Sequence, residues 1–289
     1  MRFEVIKREL EIDYWKAIAA GGNADVLKPE LIQALADVDD DFSFIATCNT
    51  GGEFLSAEKI ARIDQISERR WKRTLSDRIG ISDEERQRKN RTPDAGLPVI
   101  EKVLDDKAEH IFMRDQHDTI PADNQWGFNI KVPEYLYNRG ELVNLKVVRG
   151  TLSEEERYKI NEHIIHTIMM LTQLPFPRHL SRVPEIAGGH HEKINGTGYP
   201  KGLHGKDMGT TAKIMAIADI FEALTAADRP YKKGKTLSEA IKIMSFMQRD
   251  QHIDSELFAL FLRSGVYLDY AKLHMRPEQI DQVDIQAYL

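Results

Sequence analysis

His190-His191-Glu192-Lys193-Ile194-Asn195-Gly196-Thr197-Gly198-Tyr199-Pro200 sets two adjacent imidazoles ahead of a turn rich in glycine and ending in proline. Neighbouring histidines cannot face the same way on a helix, so the pair calls for a break in the backbone, and Gly188-Gly189 just before it allows one. Rings so placed can address two neighbouring ions. Imidazole together with carboxylate suits Fe, Mn or Zn. Gly196, Gly198 and Pro200 taken alone ask only for a turn. Half of the ten histidines lie between His163 and His191.

Working outward, both flanks read as helices. Thr151-Leu-Ser-Glu154 opens the upstream one, whose stripe of Ile160, Ile164, Ile168, Leu171 and Leu174 ends before Pro175. His163 and His166 lie on it one turn apart and compete for a ligand role. A downstream helix over about 211–227 carries Asp219 inside the apolar run Ile214-Met-Ala-Ile-Ala-Asp219-Ile-Phe221. Burying a lone carboxylate costs several kcal/mol, on the order of the buried-ion penalty, unless it is paired or binds a metal. Asp219 is therefore a ligand candidate; an exposed helix face or a pair with Arg229 are the alternatives. The capping box Thr236-Leu-Ser-Glu239 starts a third helix with Ile241, Met244 and Met247, and Ser255 to Leu262 makes a fourth.

Towards the N-terminus, Phe3, Ile6, Leu10, Tyr14 and Ala17 predict a helix over 2–20, stopped at Gly21-Gly22. Pro29 to Val38 reads as a second short helix, Phe42 to Ile45 as a brief apolar stretch, and Ser56 to Leu75 as a helix. Ser82 to Glu85 has the form of a capping box. From about 90 to 127 no period is sustained and Pro93, Pro98 and Pro121 interrupt the chain, which reads as loop or irregular insertion. Strand signals are weak, and the fold class expected is all-α.

Composition narrows the function. A net charge of −6 argues against broad nucleic-acid binding while leaving room for a local basic pocket. The single cysteine, Cys48, excludes an internal disulfide and makes thiolate metal sites improbable. With no signal-peptide pattern and no long apolar run, a cytoplasmic setting is expected, with any membrane anchor in segments outside residues 1–289.

The eleven-residue stretch resembles the HHExxDGxGYP signature of HD-GYP proteins, with Asn195 standing where the pattern has Asp. Lys201-Gly-Leu203, Asp219-Ile-Phe-Glu-Ala-Leu-Thr225, Asp228-Arg-Pro-Tyr-Lys232 and Gln251-His-Ile-Asp-Ser-Glu-Leu257 match flanking motifs in order, so the resemblance covers roughly 150–265. It implies an HD-type helical bundle holding two or three divalent ions, Fe or Mn, and a phosphodiesterase acting on cyclic di-GMP. It implies His163, His190, His191 and Asp219 as metal ligands, and Tyr199, Arg229 and Lys232 at the substrate. Cyclic dinucleotide is then the ligand, a diguanylate cyclase or sensor domain a partner, a homodimer the assembly, and DNA no partner. The competing expectation is a degenerate module that binds a cyclic dinucleotide without cutting it. His179, His204 and His274 are expected at the surface.

The family's dyad, usually HDIGKxxxP, has no clear copy upstream of His163. Aligning Ile130-Lys-Val-Pro133 with its end puts the dyad positions on Gln125 and Trp126, which cannot both ligate metal. His117-Asp118 spells the two letters in a polar, proline-flanked stretch. The reading adopted is that the dyad lies before Met1. Residues 1–130 would then be a helical region inserted in, or left over from, the HD bundle, and 131–289 the HD-GYP-like metal-binding domain.

Overall fold

A computed structural model describes residues 1–52, 54–115, 118–120, 123–227 and 234–289. The chain is mostly helical, as expected, and among the described residues no helix is long and apolar enough to cross a membrane. It divides into two compact units, Met1–Thr119 with Pro133–Lys159, and Ile120–Val132 with Ile160–Leu289. The expected boundary at 130 thus falls within a short excursion. Residues 120–132 join the C-terminal unit because Ile120, Trp126, Phe128 and Ile130 pack on Ile164, Ile165 and Ile168.

In the first unit α1 (Arg2–Ala19) and α2 (Ala24–Asn49) form a helical hairpin. The second helix is much longer than Pro29–Val38. Asn23 caps it by accepting the Asp25 amide at 2.9 Å, and it runs on through Pro29 in its second turn, where the proline removes one backbone donor without ending the helix. The Phe42–Ile45 stretch belongs to it. Ile6, Val38, Ile45, Ile63, Ile66 and Val103 make the core. The expected helix over 56–75 stops early: α3 is Ala57–Ser67, and Arg70–Arg73 forms β1, antiparallel to β2 (Val99–Lys102). Arg70-Trp-Lys-Arg73 alternates exposed with half-buried residues, and that period of two prevails over helical spacing once Arg73 meets Glu101 across the ladder at 2.9 Å. After α4 (Asp83–Lys89), β3 (Ile111–Met113) pairs with β4 (Tyr135–Asn138), followed by α5 (Glu141–Leu145). The stretch read as loop therefore carries two strands, each too short to show a period.

α6 (Glu154–Thr172) begins one residue after a reciprocal cap. Ser153 Oγ accepts the Glu156 amide at 3.2 Å and Glu156 accepts the Ser153 amide at 3.0 Å, so the capping residue is Ser153 rather than Thr151. The helix buries Ile164, Ile165 and Ile168, while Ile160, at the start of the expected stripe, is 53% exposed. In the second unit follow α7 (Val183–Gly188), α8 (Thr210–Thr225), α9 (Leu237–Arg249), α10 (Ser255–Ser264) and α11 (Val266–His274). The box at Thr236 and Glu239 caps α9 as expected. Ile217, Phe221, Leu237, Ile241, Met244, Phe258, Leu262 and Tyr267 form the larger core of this unit.

Asp254 caps α10 by accepting the Glu256 and Leu257 amides and pairs with Lys213 of α8 at 3.0 Å. Burial alone would raise its carboxyl, but the Lys213 ammonium and the Leu257 amide outweigh burial and hold it below the usual carboxylate range. The unfolded chain then takes up the proton at higher pH than the folded one, so this contribution is present above pH ~4 and fades as pH falls through the folded value. Denaturant melts at stepped pH should show stability dropping below pH ~4, with a smaller drop in Asp254→Asn; equal drops would exclude Asp254 as a source.

Candidate metal centre

All the residues of the centre lie in the second unit. α6 supplies His163, and the turn leaving α7 supplies His190 and His191. The three side chains offer nitrogen atoms that all lie within 4.8 Å of one another. His166, the competitor one turn along α6, is exposed and faces Glu162 at 3.8 Å, so His163 rather than His166 joins the group.

The backbone sets the orientation of two of the three rings. His163 Nδ1 meets the Ile160 carbonyl at 2.6 Å and His190 Nδ1 meets the Ala187 carbonyl at 2.7 Å. A carbonyl oxygen only accepts, so each Nδ1 donates a hydrogen and each Nε2 is the nitrogen left to face the group. His191 Nε2 stands 3.3 Å from His163 Nε2. Two nitrogens bound tetrahedrally to one ion at about 2.1 Å lie about 3.4 Å apart, so this pair already has the spacing of two ligands of a common ion. Three imidazoles, two of them held by backbone carbonyls, are a fit donor set for a transition metal.

The break ahead of the pair is not made by glycine freedom. Gly189 keeps an ordinary right-handed backbone. Gly188 is required for space: a Cβ there would lie 2.6 Å from Ile168 Cγ1, inside the packing of α7 on α6.

Tyr199 stacks on His191 with ring centroids 4.8 Å apart and planes 23° from parallel, and its amide donates to the His191 carbonyl at 3.2 Å. Asp219 of α8 is half-buried, not sealed in an apolar helix as its run suggested: Ile214 and Met215 are exposed. It does not join the three-histidine group, but its charge acts on both His191 and Tyr199. Burial, then the neighbouring His190, pushes His191 down to about 4, with Asp219 opposing and His163 adding to the fall; the ring is neutral near pH 7. Burial and the charge of Asp219 push the Tyr199 phenol up to about 12, so it keeps its proton.

Two residues of the turn carry more than their letters suggested. Glu192, only 1% exposed, accepts the Lys201 amide at 2.7 Å and the Leu203 amide at 2.8 Å. Asn195 donates from its amide nitrogen to the Asp250 carbonyl at 3.0 Å, a bond that an ionised Asp at this position could not make. The amide side chain therefore suits the local geometry.

The positions aligned with the dyad do other work. Trp126 stacks on Phe128 and its indole N–H donates to Thr172 Oγ1 at 3.2 Å, while Gln125 is exposed. His117, Arg229 and Lys232 lie outside the described residues. His179, His204 and His274 are exposed.

Residues 98–257, more than half of the chain, match the family described as HD domain. The chain is 31% identical over 179 residues to a 3'3'-cGAMP-specific phosphodiesterase of Vibrio cholerae, covering 58% of this chain and 41% of that protein. It is 40% identical over 86 residues to a cyclic di-GMP phosphodiesterase of Pseudomonas aeruginosa, covering 29% of this chain and 20% of that one. It is 39% identical over 84 residues to a cyclic di-GMP phosphodiesterase response regulator of Xanthomonas campestris, 29% and 22% of the respective chains. In each case the chain spans less than half of the relative's length.

Gly188→Ala should push Ile168 aside and cost about 1–3 kcal/mol, with part of the loss returned by Ile168→Val in the same chain. Thermal unfolding of the single and double variants reads this; a Gly188→Ala chain as stable as the parent would mean that α7 and α6 are not held at this separation.

Proposed function

The chain belongs to the HD-domain family, and on that premise we propose that His163, His190, His191 and Asp219 form part of a metal centre for hydrolysis of a cyclic dinucleotide, cyclic di-GMP first among them. The observation that carries the proposal is the convergence of three imidazoles from two separate elements, two of them fixed by backbone carbonyls with Nε2 presented. The names of the relatives, phosphodiesterases for cyclic di-GMP or 3'3'-cGAMP, supply the substrate class. Fe or Mn, in two or three copies, is the cofactor inferred. A divalent ion so held supplies Lewis acidity toward a phosphoryl oxygen.

The chain's own groups have separable tasks in this reading. His163 and His190 offer nitrogens whose rings are held by backbone carbonyls, and His191 is neutral at working pH. Asp219 contributes negative charge beside His191. Tyr199 covers one face of His191 and shields it from water. Arg229 and Lys232 are assigned to the phosphates, Arg229 for its bidentate fork. Gln125 and Trp126 are given no ligand role: Trp126 is committed to Phe128 and Thr172, and Gln125 stands exposed. The same observation favours a second reading, a module that binds cyclic dinucleotide without turnover, alone or with a diguanylate cyclase or sensor partner.

Elemental analysis of protein purified without oxygen, followed by incubation with cyclic di-GMP and 3'3'-cGAMP, separates the readings. Metal near or above one ion per chain, lost in His190→Ala and His191→Ala, together with linear product, is the outcome expected of the enzyme. Metal and nucleotide binding without product selects the binding module. Absence of metal from the parent chain under these conditions sinks the proposal.

A further inference from the structure

The geometry points to Glu192 as a positioning residue for the metal centre: its buried carboxylate fastens the 196–203 loop so that Tyr199 is held face to face against His191, fixing that imidazole for the ion. This inference rests on the reading of His163, His190 and His191 as metal ligands.

The chain leaves His191, turns through Gly196 to Gly198, and returns at Tyr199, whose amide donates to the His191 carbonyl. A loop closed by that bond alone at 3.2 Å would leave the ring of Tyr199 free to swing. Glu192 closes it a second time, beyond the tyrosine. One carboxylate oxygen takes the Lys201 amide at 2.7 Å and the other the Leu203 amide at 2.8 Å. Tyr199 is thus bracketed between two anchors, one on each side in sequence. The far side is also tied down where the Asn129 amide donates to the Pro200 carbonyl at 2.7 Å. Close approach completes the bracket: a Cβ on Gly198 would overlap the backbone of Glu192 and Lys193.

The chemistry of Glu192 suits this task. A carboxylate 1% exposed is costly to bury unless both oxygens are hydrogen-bonded, and here both accept backbone amides. Glutamine would keep the volume but turn one acceptor into a donor facing an amide N–H, so one of the two anchors must fail. Because Glu192 and His191 are adjacent, a shift of the loop reaches the imidazole directly. His163 and His190 have backbone carbonyls on Nδ1; the His191 ring meets His190 at 4.1 Å and His163 at 5.2 Å between centroids, and of its ring contacts the Tyr199 stack is the one nearest to parallel, at 23°.

The test is a Co(II) titration of the full chain, read by visible absorption, in four proteins: parent, Glu192→Gln, Tyr199→Ala and the double variant. Thermal unfolding without metal is run alongside. Loss of a group that orients a ligand typically weakens metal binding by about 10–100-fold. Both single variants should show losses of that order with an altered absorption band, and the double variant should lose no more than the worse single, since both act through the same ring. Losses that multiply, or parent-like affinity in Glu192→Gln with lowered thermal stability, would overturn the inference and leave Glu192 as a purely structural anchor. If Glu192→Gln does not fold, Tyr199→Ala carries the test alone: a loss of about tenfold or more supports the inference, and parent-like affinity overturns it. A parent chain that takes up no Co(II) overturns the metal-centre reading and this inference with it, whereas parent uptake with unaffected variants removes only the role of Glu192.

Discussion

The approach of α7 to α6 at Gly188 and Ile168 is the constraint on which the centre depends. α6 carries His163 and α7 ends at the turn bearing His190 and His191, so the separation of the two helices governs how closely the three imidazoles approach. With no side chain at Gly188, Ile168 fills the space at its position and remains 4% exposed. Ile164 and Ile165, on the same helix, are anchored in the same apolar cluster as Phe128. The packing that stabilises this part of the unit is therefore also what brings three nitrogens within 4.8 Å. Apolar contacts fix position, backbone carbonyls fix the orientation of His163 and His190, and Tyr199 stacks on His191.

The parts of this arrangement that were legible in the sequence are those written in local chemistry. Two adjacent histidines, a glycine-rich turn and capping boxes announce themselves within a few residues, and the cap at Thr236 begins its helix where the spacing said it would. What was not legible depends on partners far away in the chain. Arg70–Arg73 carries helix-compatible residues, and only pairing with Val99–Lys102 makes it a strand. Thr151 and Ser153 each have a glutamate three residues on, Glu154 and Glu156, so spacing alone does not choose between them, and it is Ser153 that exchanges bonds with Glu156.

The same distinction applies inside the centre. Glu192 stands in the signature as one acidic letter beside two histidines, and composition would class it as another ligand candidate. Its two oxygens are instead committed to the Lys201 and Leu203 amides. Asp219 reads as a buried charge because its neighbours in sequence are apolar, yet α8 turns Ile214 and Met215 outward and leaves the carboxylate half-buried. Periodicity assigns a residue to a face; whether that face is covered depends on neighbours that periodicity does not name. Gly188 is the converse case, a glycine whose letter suggests a turn while its function is to be small.

Charge balance gives the centre its remaining logic. Three imidazoles bring donors but no negative charge, so a divalent ion among them would retain its full positive charge in a partly buried site. Such a charge requires compensation by carboxylates or by an anionic ligand. Asp219, whose charge already acts on His191 and Tyr199, supplies one unit. Each further ion calls for more, which is the physical content of an additional acidic ligand such as the Asp of an HD dyad. On the proposed reading the phosphate of a cyclic dinucleotide supplies the rest. A centre short of carboxylates would therefore bind the phosphodiester as a counter-charge before any chemistry, and whether it proceeds to hydrolysis or stops at binding then turns on how many anionic ligands the protein itself provides.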